Sequence, residues 1–140
     1  MNTSKQSIIP MLSYEDGVTA IEWLCNVFGF SETARMLGEN GELAHGEITM
    51  NDNIIMLACP TPDYQSPNKH RQTCKAADNW YQSPYIINGV LVYVDDVEAH
   101  YKNAKKMGAT ILSELEAGFP GTRYRAEDLE GQRWMFMQKE

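Results

Sequence analysis

An internal repeat is the feature that most constrains the fold of this chain of 140 residues. Shifted by 79 positions, the segment from Leu12 to Gly29 falls on the segment from Leu91 to Gly108. The identical pairs are Leu12 and Leu91, Tyr14 and Tyr93, Asp16 and Asp95, Val18 and Val97, Ala20 and Ala99, and Gly29 and Gly108. A shift of 80 then matches Gly41 with Gly121 and Glu47 with Glu127, and lays His45 over Arg125. Because the matches fall on predicted caps and turns, the sequence predicts a duplicated structural unit.

Each copy has the pattern of one strand, one helix and three further strands. Asp16 and Gly29 are typical cap residues around the first helical pattern, and Asp95 and Gly108 around the second. The predicted strands cover 8–14, 30–37, 42–50, 54–59, 90–94, 109–115, 122–127 and 132–138. This pattern predicts an α+β fold of tandem βαβββ modules, at about 7–59 and 89–138, within a single domain spanning 1–140.

The segment 60–88 separates the two copies and is predicted to be a long connector. It contains four of the six prolines together with several Asp, Asn, Ser and Gln residues. Long irregular connectors inside compact domains are commonly lids or binding loops. Trp80, Tyr81 and Tyr85 predict that parts of it pack on the body of the protein. We expect Trp80 either to cover the mouth of a cavity or to lie in a dimer interface.

Charge and cysteine content exclude several classes of partner. The formal net charge is −7 and no basic stripe offsets it, so a nucleic-acid partner is not expected. Three cysteines without a CxxC pair predict a reducing, cytoplasmic location and not a disulfide framework. No apolar run is long enough to span a bilayer, and no signal-peptide core follows the N-terminus, so no membrane partner is expected.

Several motifs along both copies resemble the vicinal oxygen chelate superfamily, also called the glyoxalase/bleomycin-resistance/dioxygenase superfamily. They are Pro10-Met-Leu-Ser-Tyr-Glu-Asp16, Phe28-Gly29-Phe30, His45-Gly-Glu47, Val92-Tyr-Val-Asp-Asp-Val97, Met107-Gly-Ala109 and Asp128-Leu-Glu-Gly131-Gln-Arg-Trp134. In one bacterial subgroup the last turn reads Asp-Pro-x-Gly-His-x-Trp, where this chain has Leu129 and Gln132. The resemblance implies two modules that each contribute a curved four-stranded sheet and together enclose a ligand cavity, often in a homodimer.

The resemblance also implies where a metal would be held in the enzymatic members. Their usual ligands are His or Gln on the first strand, Glu on the fourth, His on the fifth and Glu on the eighth. Here the segments 7–14 and 87–94 contain none of these donors, and 54–59 offers only Met56 and Cys59. Met135 lies near the position expected for the last Glu. Because hard divalent metals need several N or O donors, we predict no family metal site and no metal cofactor.

Four charged residues are candidate ligand contacts. His45 and Glu47 are two residues apart on a strand and therefore share a face. Four roles are open for this pair. The two residues could contact a ligand, act as an acid/base pair, supply two ligands of a displaced metal site, or form a hydrogen-bonded pair on a polar sheet face. Arg123 and Arg125 share a face by the same argument. They either clamp a carboxylate or phosphate, or pair with Glu47 and Glu127 and neutralise the cavity.

The last strand combines aromatic and thioether side chains. We expect Trp134 and Phe136 to be core residues beneath the second helix, which turns Met135 towards the cavity. Met56 is expected to join Met135 there. A methionine-lined pocket is adaptable and suits flat hydrophobic ligands.

These observations favour a small-molecule binding protein of the glyoxalase/bleomycin-resistance type. It would sequester or sense an aromatic or anionic ligand without the family metal, and would form a homodimer. The alternative is a divalent-metal-dependent lyase, isomerase or dioxygenase that uses a displaced site. The expected ligand contacts are His45, Glu47, Met56, Trp80, Arg123, Arg125 and Met135.

Overall fold

The computed structural model describes residues 6–139, which divide into two compact units between Tyr64 and Gln65. Each unit contains one four-stranded sheet and one longer helix that packs on it. The first unit comprises β1 (Met11–Ser13), α1 (Gly17–Phe28), β2 (Ser31–Leu37), β3 (Leu43–Met50) and β4 (Asn53–Ala58). The second comprises α2 (Pro67–Thr73), α3 (Lys75–Trp80), β5 (Gly89–Tyr93), α4 (Val97–Lys106), β6 (Thr110–Glu116), β7 (Gly121–Glu127) and β8 (Arg133–Lys139).

The two sheets have the same topology. Their strand orders are β1-β4-β3-β2 and β5-β8-β7-β6. In each sheet the first strand runs parallel to the last, and the other neighbours are antiparallel. This arrangement confirms the predicted α+β fold of two βαβββ modules.

The first strand is shorter than predicted. A strand was expected over 8–14, whereas β1 covers Met11–Ser13. The Pro10 carbonyl accepts a hydrogen bond from the Met56 backbone N–H at 3.0 Å, but Pro10 has no N–H with which to continue the ladder. Within 6–139 no helix has the length and apolar character needed to cross a membrane.

The two long helices begin at aspartate caps. The Asp16 carboxylate accepts a hydrogen bond from the Thr19 backbone N–H at 3.1 Å. In the second helix the cap is Asp96, whose carboxylate accepts from the Ala99 backbone N–H at 3.0 Å. The prediction that Asp95 is the cap is therefore wrong by one residue. Glu98 lies two positions after this cap and not three, so the two residues do not have capping-box spacing.

The cap position also corrects the alignment of the two copies. Asp16 corresponds to Asp96, so the shift is 80 and not 79 at the start of each module. Tyr14 and Tyr93, matched at 79, differ in environment: Tyr14 is fully buried and Tyr93 is 41% exposed. A slip of one residue moves a strand residue to the opposite sheet face, so such identities do not mark equivalent positions.

Strand pairing gives the equivalences across each sheet. One row of the first sheet is Met11, Met56, Glu47 and Ala34. The corresponding row of the second sheet is Leu91, Met135, Arg125 and Ser113. Glu47 therefore occupies the ladder position of Arg125. The predicted matches of Glu47 with Glu127 and of His45 with Arg125 are wrong, because the turn before β7 is one residue shorter than the turn before β3.

The hydrophobic core of each unit lies between its sheet and its longer helix. A Cβ on Gly46 would meet Ile21 Cδ1 of α1 at 2.7 Å, so only glycine allows that close approach. In the second unit Tyr124, Trp134 and Phe136 are buried on the face that α4 covers. The His100 ring of α4 lies 4.1 Å from the Phe136 ring, between centroids. The expected core role of Trp134 and Phe136 is confirmed.

The connector is more ordered than predicted, because it contains α2 and α3. The Ser66 hydroxyl caps α2 by accepting from the Lys69 backbone N–H at 3.3 Å, and Pro67 occupies the first helical turn. Serine followed by proline signals a helix start as well as a loop, and this second meaning was missed. Tyr81 is buried as the connector leaves α3, whereas Trp80 is 53% exposed.

Candidate functional site

A cavity of about 220 Å³ lies on the open face of the second sheet, by which we mean the face that α4 does not cover. Its floor is formed by β5, β7 and β8, and the end of the connector forms one wall. The lining residues are Pro84, Tyr85, Ile87, Asn88, Gly89, Val90, Leu91, Arg125, Arg133, Trp134 and Met135. Two of the predicted ligand contacts, Arg125 and Met135, are thus brought together in one cavity.

Arg125 lies in the middle of β7, half-buried, with Met135 opposite on β8 and Ser113 opposite on β6. Neither neighbour carries a charge. Among residues 6–139 no side chain or carbonyl forms a hydrogen bond or ion pair with its guanidinium. A cationic group with five donors therefore faces the cavity with its hydrogen-bonding capacity unused.

Arg133 also lines the cavity, but its guanidinium is fully engaged. It is 4% exposed, and its Nε and Nη2 donate to Glu127 Oε2 at 3.1 and 2.8 Å. Nη2 also donates to the Tyr81 carbonyl at 2.7 Å, and Nη1 donates to the carbonyls of Ser83 and Ile86. Arg133 therefore holds the connector wall against the sheet.

Glu127 is the acidic centre of this buried charge cluster. Arg71 Nη1 lies 3.6 Å from Glu127 Oε2, and Arg71 Nε donates to Asp78 at 3.1 Å. Both arginines lie over the Tyr81 ring, with Arg71 Cζ and Arg133 Cζ at 5.1 and 5.2 Å from its centroid. Burial raises the pKa of the Tyr81 hydroxyl above 10.0, and the two cations partly oppose that shift.

The charge cluster tests one part of the predicted roles of the β7 arginines, their pairing with Glu127. The hypothesis that Glu127 neutralises Arg123 and Arg125 is wrong, because Glu127 pairs with Arg133 and Arg71. Arg123 donates to the Gly121 carbonyl at 3.1 Å and lies 3.8 Å from Glu116. It has local partners and does not line the cavity.

The connector wall contains a strained residue. Ile87 has a φ of 53°, a conformation that is rare for a β-branched side chain. Such strain persists only where the surrounding contacts impose it, and it is concentrated at ligand clamps and similar sites. Arg133 supplies the contact here, since Nη1 donates to the Ile86 carbonyl at 3.3 Å. Arg133 thus fastens the wall to the sheet directly beside the strained residue.

In the first unit, His45 and Glu47 lie on the face of the sheet that α1 does not cover. His45 Nε2 is 2.8 Å from Glu47 Oε2, and both side chains are half-buried. Met56 lies opposite Glu47 on β4, and Met11 lies opposite Met56 on β1. The structure therefore brings the predicted contacts His45, Glu47 and Met56 together on one surface.

These residues do not fit the divalent metal of the family's enzymes. Within 6–139 no group of three or more His, Cys, Asp or Glu side chains is placed to hold a metal ion. In the central ladder rows, the first and last strands of the two sheets present Met11, Met56, Leu91 and Met135. Thioether and aliphatic side chains are not ligands for hard divalent cations.

A larger groove of about 880 Å³ runs along the start of α1 in the first unit. The Cys59 thiol accepts from the Gly17 backbone N–H there at 3.2 Å. None of the seven predicted ligand contacts lines this groove. Trp80 also lies outside the lining of the smaller cavity, at the end of α3.

Sequence reasoning missed Arg71 and Arg133 as parts of the site. Arg133 lies within the recognised turn motif, but three of its acceptors are main-chain carbonyls about 50 residues earlier in the chain. No residue-type pattern marks a carbonyl as an acceptor. The one available signal was the cluster of aromatic residues in the connector, which predicted that it packs on the body.

The family model for the glyoxalase/bleomycin resistance protein/dioxygenase superfamily matches residues 10–136. The chain belongs to this superfamily. The chain is similar to the uncharacterized protein Mb0911c of Mycobacterium bovis, with 28% identity over 133 residues, which cover 91% of this chain and 80% of the relative.

Solved structures of other superfamily members share the fold. TioX from Micromonospora sp. ML1 is 26% identical, with a TM-score of 0.69 and coverage of 96% and 97% of the two chains. The bleomycin-binding protein of Streptomyces verticillus, solved with copper(II)-bleomycin, is 15% identical, with a TM-score of 0.60 over 96% and 97%. TnmS3, an antibiotic binding protein from Streptomyces sp. CB03234, is 16% identical, with a TM-score of 0.67 over 96% and 99%.

Proposed function

We propose that this superfamily member is a cytoplasmic small-molecule binding protein that sequesters or senses an aromatic or anionic ligand without the metal of the family's enzymes. The observation that carries the proposal is the cavity of the second unit. It combines a guanidinium without a partner among the described residues, a thioether and aromatic side chains. One of its walls is the end of the connector, which Arg133 holds against the sheet. Apolar pockets with a few placed polar groups are typical of small-molecule sites.

Two proteins of the same fold are named for the small molecules that they bind. The bleomycin-binding protein of Streptomyces verticillus and the antibiotic binding protein TnmS3 have the architecture seen here. A fold alone does not fix a function, so these proteins support the proposal only together with the cavity. Arg125 and Met135 are the proposed contacts in the second unit, and His45, Glu47 and Met56 offer a polar and thioether surface in the first.

A fluorescence titration tests the proposal directly. N-phenyl-1-naphthylamine is a neutral aromatic probe whose emission rises in apolar surroundings. It is expected to bind the chelator-treated protein saturably, and to bind equally well after Zn²⁺ or Mn²⁺ is added. A Met135→Lys variant, which places a charge against the ring, is expected to weaken binding, whereas Lys102→Met on the exposed side of α4 is the matched control. Emission that rises without saturation in the wild-type protein would contradict the proposal.

A further inference from the structure

We infer that the ligand carries a carboxylate on an aromatic ring, and that Arg125 is the residue that selects this anion. The inference rests on the proposed function and names the chemical class of its ligand. Arg125 would bind the carboxylate through two parallel N–H donors. Leu91, Met135 and Tyr85 would contact the ring.

The two arginines of the cavity differ in how many of their guanidinium N–H groups already have an acceptor. All five guanidinium N–H donors of Arg133 have acceptors within the protein. Arg125 uses none among the described residues, although it is half-buried on the same open face. Arg133 thus builds the cavity, and Arg125 is the cation left for a ligand.

Local charge points to a ligand with one negative charge. The charged residues that line the cavity are Arg125 and Arg133. Arg133 is paired with Glu127, so Arg125 is the lining cation that has no anionic partner among residues 6–139. A planar guanidinium in such surroundings matches a carboxylate, which accepts two parallel hydrogen bonds.

The walls and the size of the cavity account for the aromatic part. Leu91 and Tyr85 are large apolar side chains that remain 49% and 69% exposed. A ring placed between them would remove apolar surface from water, at about 25 cal/mol per Å². A volume of about 220 Å³ lies below the roughly 300 Å³ at which complete ligand sites begin. The cavity therefore suits one single or fused aromatic ring system with its carboxylate. This group would be either the whole of a small ligand or one end of a larger ligand.

A competition assay with a matched pair of ligands tests the inference. 2-Naphthoate and 2-naphthamide have the same ring and differ in charge, and each is titrated against bound N-phenyl-1-naphthylamine. The wild-type protein is expected to bind the naphthoate at least about tenfold more tightly, as one charge-assisted interaction provides. Arg125→Met is expected to abolish this preference. Arg123→Met removes a cation from the same strand that already has partners, so it is expected to retain it.

A second variant tests the same site without removing the arginine. Met135→Glu places a carboxylate directly opposite Arg125, where it occupies the guanidinium from within the chain. This variant is also expected to lose the naphthoate preference, and far-ultraviolet circular dichroism checks that it folds.

The outcomes separate the two claims. Equal affinity for naphthoate and naphthamide in the wild-type protein would overturn the inference. The proposed function would still stand in that case, provided that the protein binds the neutral probe. Equal loss of preference in the Arg123 and Arg125 variants would also overturn it. Failure of the wild-type protein to bind the neutral probe or either competitor would overturn the proposed function, and the inference with it.

Discussion

A single arginine, Arg133, connects the sheet of the second unit with the end of the connector. It donates to one buried carboxylate, that of Glu127, and to three backbone carbonyls of the connector. A buried ion pair adds little stability when compared with well-packed apolar residues. Removal of one partner, by contrast, leaves a buried charge without compensation.

Replacement of Arg133 is therefore expected to destabilise the second unit strongly. Arg133→Met should lower the free energy of unfolding by about 3 kcal/mol, because Glu127 keeps only Arg71, at 3.6 Å, and the connector carbonyls lose a donor. Urea unfolding followed by circular dichroism measures the change. Lys102→Met breaks the exposed pair with Glu98 and should leave stability nearly unchanged. A similar effect of both substitutions would refute the role assigned to Arg133.

The protonated Tyr124 hydroxyl gives the second unit a stabilisation that is lost at alkaline pH. Its side chain is fully buried beneath α4, its hydroxyl lies 2.6 Å from His100 Nδ1, and burial raises its pKa far above 10.0. Because the folded state holds the proton more tightly than the unfolded state, the stabilisation is complete below pH 10 and is lost as pH rises above it.

The expected consequence is a steeper alkaline loss of stability in the wild-type protein than in Tyr124→Phe. One proton contributes about 1.4 kcal/mol per pH unit between the ordinary tyrosine pKa of 10.0 and the raised pKa of Tyr124 in the folded state. Urea unfolding between about pH 8.5 and 11.5 measures both slopes, and the comparison cancels the titration of other tyrosines and lysines. Identical slopes for the two proteins would contradict the assignment.

At the level of whole elements, the sequence predicted the order of the long helices and the strands, but neither α2 and α3 nor the alignment between the copies. The strands, the long helices and the Gly29 and Gly108 ends follow from local patterns. The equivalence of Glu47 and Arg125 does not, because small differences in helix and turn length change the offset along the chain. The partners of Arg133 were equally hidden, since they are main-chain atoms of a distant segment.

The correction at α4 is open to a direct test with adjacent residues. Asp96→Ala is expected to reduce the free energy of unfolding by about 1 kcal/mol, because it removes the acceptor for the Ala99 N–H. Asp95→Ala, one residue earlier and equally exposed, should have little effect. Thermal or urea unfolding distinguishes the two, and a larger effect at Asp95 would restore the original prediction.

For the molecule as a whole, the scarcity of N and O metal ligands on the strands predicts that divalent metals do not change its thermal stability. A metal that binds only the folded state at 100 times its dissociation constant stabilises it by about 2.7 kcal/mol. Thermal melts of chelator-treated protein are expected to keep the same midpoint with Zn²⁺, Ni²⁺, Mn²⁺ or Fe²⁺. His45→Ala should behave identically, and a metal-dependent shift that this variant loses would support a displaced metal site.

The open sheets also predict the state of association. β2 and β6 are edge strands whose outer backbone groups are available for pairing, and exposed edges of this kind are usually covered. Light scattering at micromolar concentration is expected to give twice the chain mass of 15.9 kDa. A monomeric mass would exclude the predicted homodimer.

The way in which Arg133 holds the connector has a consequence for how this protein could diversify. Its hydrogen bonds to the connector reach only the main-chain carbonyls of Tyr81, Ser83 and Ile86. Every residue type carries such a carbonyl, so these bonds do not depend on the side chains of 83–88. Tyr85 and its neighbours can therefore change while the scaffold persists, which makes this short stretch the natural place to re-engineer ligand selectivity.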